Sequence, residues 1–414
     1  MAREFLISVL SWTCYLFCKI ISVFFPKFHV QIMTTNHQFF GHLLLEPEKY
    51  LSTRDSRSEL FEVDFNGAKD WKNIGVGASG RIDSRTLTLW TLGKKKSASN
   101  KYLFKMWRRY IHCVPGFVSG MFIRASKIRN LHNVSQYKFS SLISADRVLD
   151  DAAVHLRLSE KESKRAEKAA QEIGIDVSKP IVCLIVRNES SIDTDSELRS
   201  RSIADFLPSI DVLSNSGFQV LRMGASRSPE IHSLNSNVWD YANSGARSEL
   251  LDLYFLSKCN FAISTLSGPD AACMAFRRPV LYVDLANYGL CFSGTSLTTW
   301  TPARIIDLEN GKPMSLSRVF KSGAGWFWKD SQFRGAGLAV ERSSPDEIAK
   351  YTQEMILRSK NNFSPIREQC EIQTKYMDAF ASAMGDLGEK WHGEVRARMC
   401  RNFLETHGDW FLGQ

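Results

Sequence analysis

Hydrophobic and polar positions change rhythm along this chain, and the changes mark its elements. Residues 5–25 are apolar almost without a break, with Arg3, Lys19 and Lys27 at the flanks or inside. The uninterrupted part ahead of Lys19 is shorter than the roughly 20 residues that a bilayer span needs. No small-residue cleavage site follows it. Trp12, Tyr15 and the phenylalanines favour a membrane interface, so the pattern predicts a helix lying on, or dipping into, one leaflet. A single span with Lys19 snorkelling and a buried core helix are the competing readings. Residues 30–34 then read as a short strand, residues 36–42 as a polar loop, and the stretch through Tyr50 as a helix. Between 58 and 130 short apolar runs alternate with basic segments, and the glycines within 75–80 mark a loop.

Beyond residue 158 the rhythm is cleaner. Ser159 with Glu162 forms a capping box, each side chain serving the other's backbone N–H; Gly174 closes that helix. Residues 180–186, PIVCLIV, are a continuous apolar run, the mark of a strand buried on both faces. A helix at 203–214 closed by Gly217, a strand at 218–221, an amphipathic helix at 247–258 and a strand at 261–265 follow. A turn at Gly268 then leads into a helix at 271–276 and a strand at 279–283. Strand and helix alternating at this spacing predict an α/β fold with a parallel, doubly wound sheet. Right-handed crossovers then bring every strand's C-terminal end to one edge. Ser344, followed by Pro345, Asp346 and Glu347, starts a last capped helix. Residues 365–414 read as further helices, with Trp391 and Trp410 as anchors.

At 414 residues the chain has room for two or three domains. Its 44% hydrophobic and 23% charged residues exclude disorder, a collagen-like rod and a small disulfide scaffold. The net charge of +9 is uneven. Residues 1–138 hold 21 Lys/Arg against 9 Asp/Glu, and residues 84–145 contain no acidic residue but twelve basic ones. Such a face suits an anionic partner or simply a solvated surface. The nine cysteines form no C-x-x-C pair, and several lie in apolar runs, so they read as reduced core residues of a cytosolic protein.

Ligands of open α/β sheets bind beyond the carboxyl ends of the strands. Those ends read Arg187-Asn188-Glu189, Arg222-Met223-Gly224, Thr265-Leu266-Ser267-Gly268 and Asp284. Arginine presents a planar fork of donors suited to phosphate oxygens, and the helix opening at Ser267-Gly268 offers backbone N–H groups. Two arginines and a helix N-terminus outline a diphosphate site. The alternative is that Arg187 and Arg222 pair with Glu189 or Asp240 and tie loops down. Neither a dinucleotide fingerprint nor a P-loop is present, and Asp193-Thr194-Asp195 sits in a polar loop, so nothing in the sequence calls for a metal.

The runs FLPSIDVLSNSGFQVLRMG and WDYANSGARSELLDLYFLSKCNFAISTLSGPDAACMAFRRPVLYVD, with FGHLLLEPEKYL near the start, resemble a bacterial family of glycosyltransferases linked to surface-polysaccharide synthesis. More distantly, the order strand–Arg, helix, S-x-C, strand, S-x-S is similar to inverting fucosyltransferases of GT-B fold, although Ile185 stands where those enzymes carry histidine. The resemblance implies two Rossmann-like lobes. These are an acceptor-side lobe at 30–155 after an anchor at 1–29, and a donor lobe at 156–345 followed by C-terminal helices at 346–414 that pack across the lobes. It implies a nucleotide-sugar donor used as substrate, with no cofactor, no metal and no nucleic acid. Donor contacts would be Arg187, Arg201, Arg222, Gly224, Thr265, Ser267, Gly268 and Asp270. The acceptor would be an anionic or lipid-linked glycan at the inner face of the cytoplasmic membrane. His42, or Glu46, would serve as base. A nucleotide-sugar epimerase of the same fold and a non-catalytic module of a polysaccharide assembly complex are the alternatives.

Overall fold

The computed structural model describes all residues except 1, 26–28, 36–37, 57–58, 65–74, 77–79, 82–85, 93–97, 129–133, 139–141, 145–147, 188–197, 225–230, 232–234, 291–294, 364–366, 393–394 and 414. Of the features singled out above, Asn36, His37, Ser79, Lys94, Lys95, Lys96, Asn188, Glu189, Asp193 and Asp195 lie outside the described residues, as does the side chain of Trp391. The chain forms two compact units. The first comprises Met1–Asp64, Gly75–Ser144 and Ala152–Leu156, and the second chiefly Arg157–Gln414.

In the first unit α1 (Ala2–Phe24) leads into β1 (His29–Thr34) and α2 (Phe40–Ser56). Then come β2 (Thr86–Thr91), α3 (Lys101–Trp107), β3 (His112–Cys113), α4 (Gly116–Ile128) and β4 (Val134–Lys138). The sheet is parallel throughout, in the order β3-β2-β1-β4. Side chains alternate across β1 with the period of two that a strand imposes. Val30 and Ile32 pack with Leu89, with Cys18 of α1 and with Phe122 of α4. Gln31 faces the other way, accepting from Thr88, whose hydroxyl also receives a hydrogen bond from Tyr50 of α2. Helices therefore cover both faces, as a parallel sheet requires.

α1 groups with the rest of the first unit. Ser11, Tyr15 and Cys18 of α1 are buried, so one side of the helix belongs to the unit's core. Among the described residues no helix is long and apolar enough to cross a membrane.

The second unit carries α5 (Glu160–Glu172), β5 (Ile181–Ile185), α6 (Leu207–Asn215), β6 (Gln219–Arg222), β7 (Val238–Trp239), α7 (Glu249–Lys258) and β8 (Phe261–Ser264). After these come α8 (Asp270–Ala275), β9 (Val280–Leu285), β10 (Thr298–Pro302), α9 (Pro345–Lys360), α10 (Arg367–His392), β11 (Arg398–Met399) and α11 (Arg401–Leu412). Its sheet runs β7-β6-β5-β8-β9-β10-β11, every neighbouring pair parallel. The predicted α/β class with parallel sheets is what the chain adopts. The predicted capping box forms at Ser159/Glu162, the predicted capped start at Ser344 closes a second box with Glu347, and the described cysteines are free thiols.

The C-terminal helices count with this unit rather than as a separate one. Gln373 exchanges hydrogen bonds with both backbone groups of Met399, which seats edge strand β11. Trp300 donates to the Tyr376 hydroxyl at 2.9 Å. A small antiparallel sheet of Arg304–Asp307, Lys312–Pro313 and Leu338–Glu341 is appended.

Candidate functional site

Both parallel sheets reverse their winding once. In the second unit the chain builds outward from β5 to β6 and β7, then returns to place β8 on the other side of β5. In the first unit β1 lies between β2 and β4 in the same way. At such a switch point neighbouring loops leave in opposite directions and a crevice opens beyond the strand ends, the usual ligand site of these folds.

At the second unit's switch point Arg187 and Thr265 meet. The Arg187 N–H donates to Thr265 Oγ1 at 3.0 Å, and the Thr265 N–H donates to the Ile185 carbonyl at 3.2 Å. The Arg187 carbonyl accepts from the Arg201 N–H at 2.9 Å, so its backbone is fixed from both sides while its side chain stays half-buried. A small pocket, with a cavity volume of about 20 Å³, lies on the same edge. Thr265, Leu266, Asp284, Asn287, Phe327 and Trp328 are among its lining.

Arg201, Arg222 and Asp270 have partners within the protein. Arg201 is buried: its Nε donates to Asp205 Oδ2 at 2.8 Å, Nη1 to Asp284, and Nη2 to the Ser343 carbonyl at 3.0 Å. Asp284 sits at φ +56°, and its other carboxylate oxygen accepts from the Ser343 N–H and hydroxyl. Burial raises its carboxyl above the usual range, opposed by the Arg201 charge and by Ser343. Arg201 therefore closes a polar network instead of reaching for a phosphate. Arg222 is likewise buried, and its Nη1 donates to Asp240 Oδ2 at 3.2 Å. That oxygen also takes the Ile231 N–H and the Asn243 amide, so the tie-down alternative describes Arg222. Gly224 follows at φ +141°, a conformation that suits glycine.

The turn at Ser267-Gly268 differs from expectation too. α8 is six residues long and starts at Asp270. The Asp270 carboxylate accepts from the Ser267 N–H at 2.5 Å and from the Ser264 hydroxyl at 2.6 Å. An acid thus occupies the Ser267 N–H, one of those assigned to the diphosphate, and Asp270 acts as an internal cap; Gly268 is exposed. Burial pushes the Asp270 carboxyl up to about 6, against the pull of those two hydrogen bonds. An acid raised on folding stabilises the protein below its ordinary value of 3.8, and that contribution fades as pH climbs through about 6. Asp270→Asn keeps an acceptor without a titrating proton. Between about pH 4 and 6 the parent should therefore lose melting temperature that the variant keeps, so the difference between them should shift in the variant's favour, and a flat difference curve over that window would refute the assignment.

In the first unit the chain leaves β1 at Thr34-Thr35 and enters α2. His42 and Glu46 lie one helical turn apart on one face, and His42 Nδ1 meets Glu46 Oε1 at 2.6 Å. Buried Thr35 donates its hydroxyl to Glu46 Oε2. The Glu46 side chain is 8% exposed and that of His42 47%. The pair named as alternatives is a single unit: a fixed carboxylate takes the proton of Nδ1, leaving the Nε2 lone pair for a partner in solvent. The helix is shaped for this by Pro47, which has no N–H for the Leu43 carbonyl. That carbonyl accepts from Trp107 Nε1 at 2.7 Å instead.

Phe327, Trp328 and Asn287 went unnoticed in the sequence. The aromatic pair stands in GAGWFW, outside any periodic segment, and only that density of rings marks it.

No protein-family model matches the chain, and no curated protein matches it. Among solved structures it is similar to a glycosyl transferase family 9 protein from Veillonella parvula DSM 2008, at 10% identity over 61% of this chain and 80% of that one, TM-score 0.34. It is also similar to the E. coli ADP-heptose lps heptosyltransferase II, at 11% identity over 61% and 84%, TM-score 0.31. Likeness at this level carries no argument about function.

Proposed function

We propose that this chain is a glycosyltransferase. It moves a sugar from a nucleotide diphosphate to a glycan or lipid-linked acceptor in surface-polysaccharide synthesis. The observation that carries the reading is the His42–Glu46 pair beyond β1, a base whose proton-bearing nitrogen is already held by a buried carboxylate. Deprotonating an acceptor hydroxyl needs such a group. Nε2 takes the hydroxyl proton, the freed oxygen attacks the anomeric carbon, and the bond from that carbon to the diphosphate breaks with its electron pair. Glu46 stabilises the imidazolium that forms.

The donor belongs at the second unit's switch point, where the backbone of Arg187 is fixed by Thr265 and Arg201 and its side chain is half-buried. Its fork would meet the departing diphosphate. Phe327 and Trp328, which share a pocket lining with Thr265, suit a base or sugar ring. The reading uses arginine and backbone donors for phosphate charge, with no metal and no separate cofactor.

Calorimetry with UDP-, GDP-, CMP- and dTDP-sugars tests it. One nucleotide class should bind. Arg187→Lys, which keeps the charge and loses the fork, should bind it at least about tenfold more weakly. Undiminished binding in Arg187→Ala would remove the donor assignment. Isomerised sugar formed without any acceptor would identify an epimerase instead.

A further inference from the structure

We infer that the outer layer of the first unit, α1 with α4 beside it, docks on an anionic lipid bilayer, with α1 lying in the membrane plane. This does not rest on the enzymatic reading.

α1 is apolar on both sides. Its inner side is committed: Ser11, Tyr15 and Cys18 are buried, and Cys18 packs with Val30, Ile32, Leu89 and Phe122. Its outer side carries Phe5, Val9, Trp12, Leu16, Ile20 and Val23, from 41% exposed at Trp12 to 73% at Val23. Spacings of four, three, four, four and three residues hold these six on one stripe of a helix with 3.6 residues per turn. A contiguous apolar face of this kind marks an interaction site.

The neighbouring layer identifies the occupant. α4 packs against α1, and both bury their inner sides in the same cluster on one face of the sheet. Their outer stripes are therefore side by side. On α4 that stripe is Phe117, Arg124 and Lys127, all exposed. Lys19 is exposed at the flank of the α1 stripe. The helix α4 holds no acidic residue, nor does any part of the chain from 84 to 145. The exposed charged side chains described on these two helices, Lys19, Arg124 and Lys127, are all cations, and an apolar stripe with cations beside it matches acyl chains beneath anionic headgroups. Because the inner side of α1 is locked into the core, the helix cannot turn upright to span without dismantling the unit.

Flotation of the full-length protein on vesicles tests this. It should float with phosphatidylcholine–phosphatidylglycerol vesicles and only weakly with phosphatidylcholine alone. High salt should weaken flotation without abolishing it, because salt screens the cations and leaves apolar insertion intact. Leu16→Glu/Ile20→Glu should reduce the floated fraction at least about tenfold at unchanged melting temperature. Arg124→Glu/Lys127→Glu should abolish the preference for anionic lipid. If the first variant fails to fold, Val9→Gln/Val23→Gln replaces it with the same expectation. The inference is overturned if the parent floats with neither vesicle, or if the apolar variants float as the parent does. It is also overturned if light scattering shows a dimer that Leu16→Glu/Ile20→Glu splits without any lipid binding, which would make a second copy the occupant.

Discussion

His42→Ala is expected to lose roughly 10²–10⁴-fold in acceptor-dependent turnover, the usual contribution of a positioned general base. Donor affinity measured by calorimetry should not move, because His42 belongs to the first unit and the proposed donor contacts belong to the second. Glu46→Gln separates positioning from charge. The amide oxygen can still accept from Nδ1, so the ring stays oriented, but the negative charge that stabilises the forming imidazolium is gone. Its loss should be real and smaller than that of His42→Ala. Thr35→Val, which removes the hydroxyl on the far carboxylate oxygen, should fall smaller still. Parental turnover in His42→Ala would place the base elsewhere. Equal loss of donor affinity and turnover would make the pair a fold element.

Arg201→Ala should destabilise the second unit by roughly 3–5 kcal/mol, since it strands Asp284 as an uncompensated charge in the interior. The pair is closed on every side: Asp205, Asp284 and the Ser343 carbonyl consume the guanidinium. Urea denaturation measures the loss. Arg201→Ala/Asp284→Ala should recover a substantial part of it, because removing both partners leaves no orphan. The competing role predicts the reverse pattern, in which Arg201→Ala melts like the parent and fails only to bind donor. That outcome would return Arg201 to the phosphate site.

The strands β5, β6, β8 and β9 were legible because each is a short apolar run closed by a glycine, proline or capping signal, and those signals are local. The caps at Ser159 and Ser344 were legible for the same reason. β10 was not. Its sequence, TTWTP, reads as polar, yet every residue is buried. The strand tolerates burial because Thr301 accepts the Asp284 N–H and Thr299 accepts from Arg358. Both partners are distant in sequence, and no periodicity announces them. Arg201 misled for a related reason. It entered as a donor contact through the resemblance, and the carboxylate that meets it lies 83 residues away. Asp270 shows the opposite case, a local contact misread: three residues separate it from Ser267, and an aspartate there reads as naturally as a cap as it does a ligand. His42 and Glu46 were both named, but as rivals. Their separation of four on a helix face already placed them together.

The position of β1 bears on how the protein is made. Of the strands in its sheet it leaves the ribosome first, and it is paired to β2 on one side and β4 on the other. β4 ends at Lys138, so α1 has no complete floor to pack on until more than a hundred further residues have been added. At usual synthesis speeds that delay is on the order of ten seconds. Throughout it the apolar helix is displayed on both sides to whatever is nearby, a chaperone or a lipid surface. A nascent chain that meets a bilayer in that interval would engage it before its own sheet is complete, so attachment could precede folding of the first unit rather than follow it.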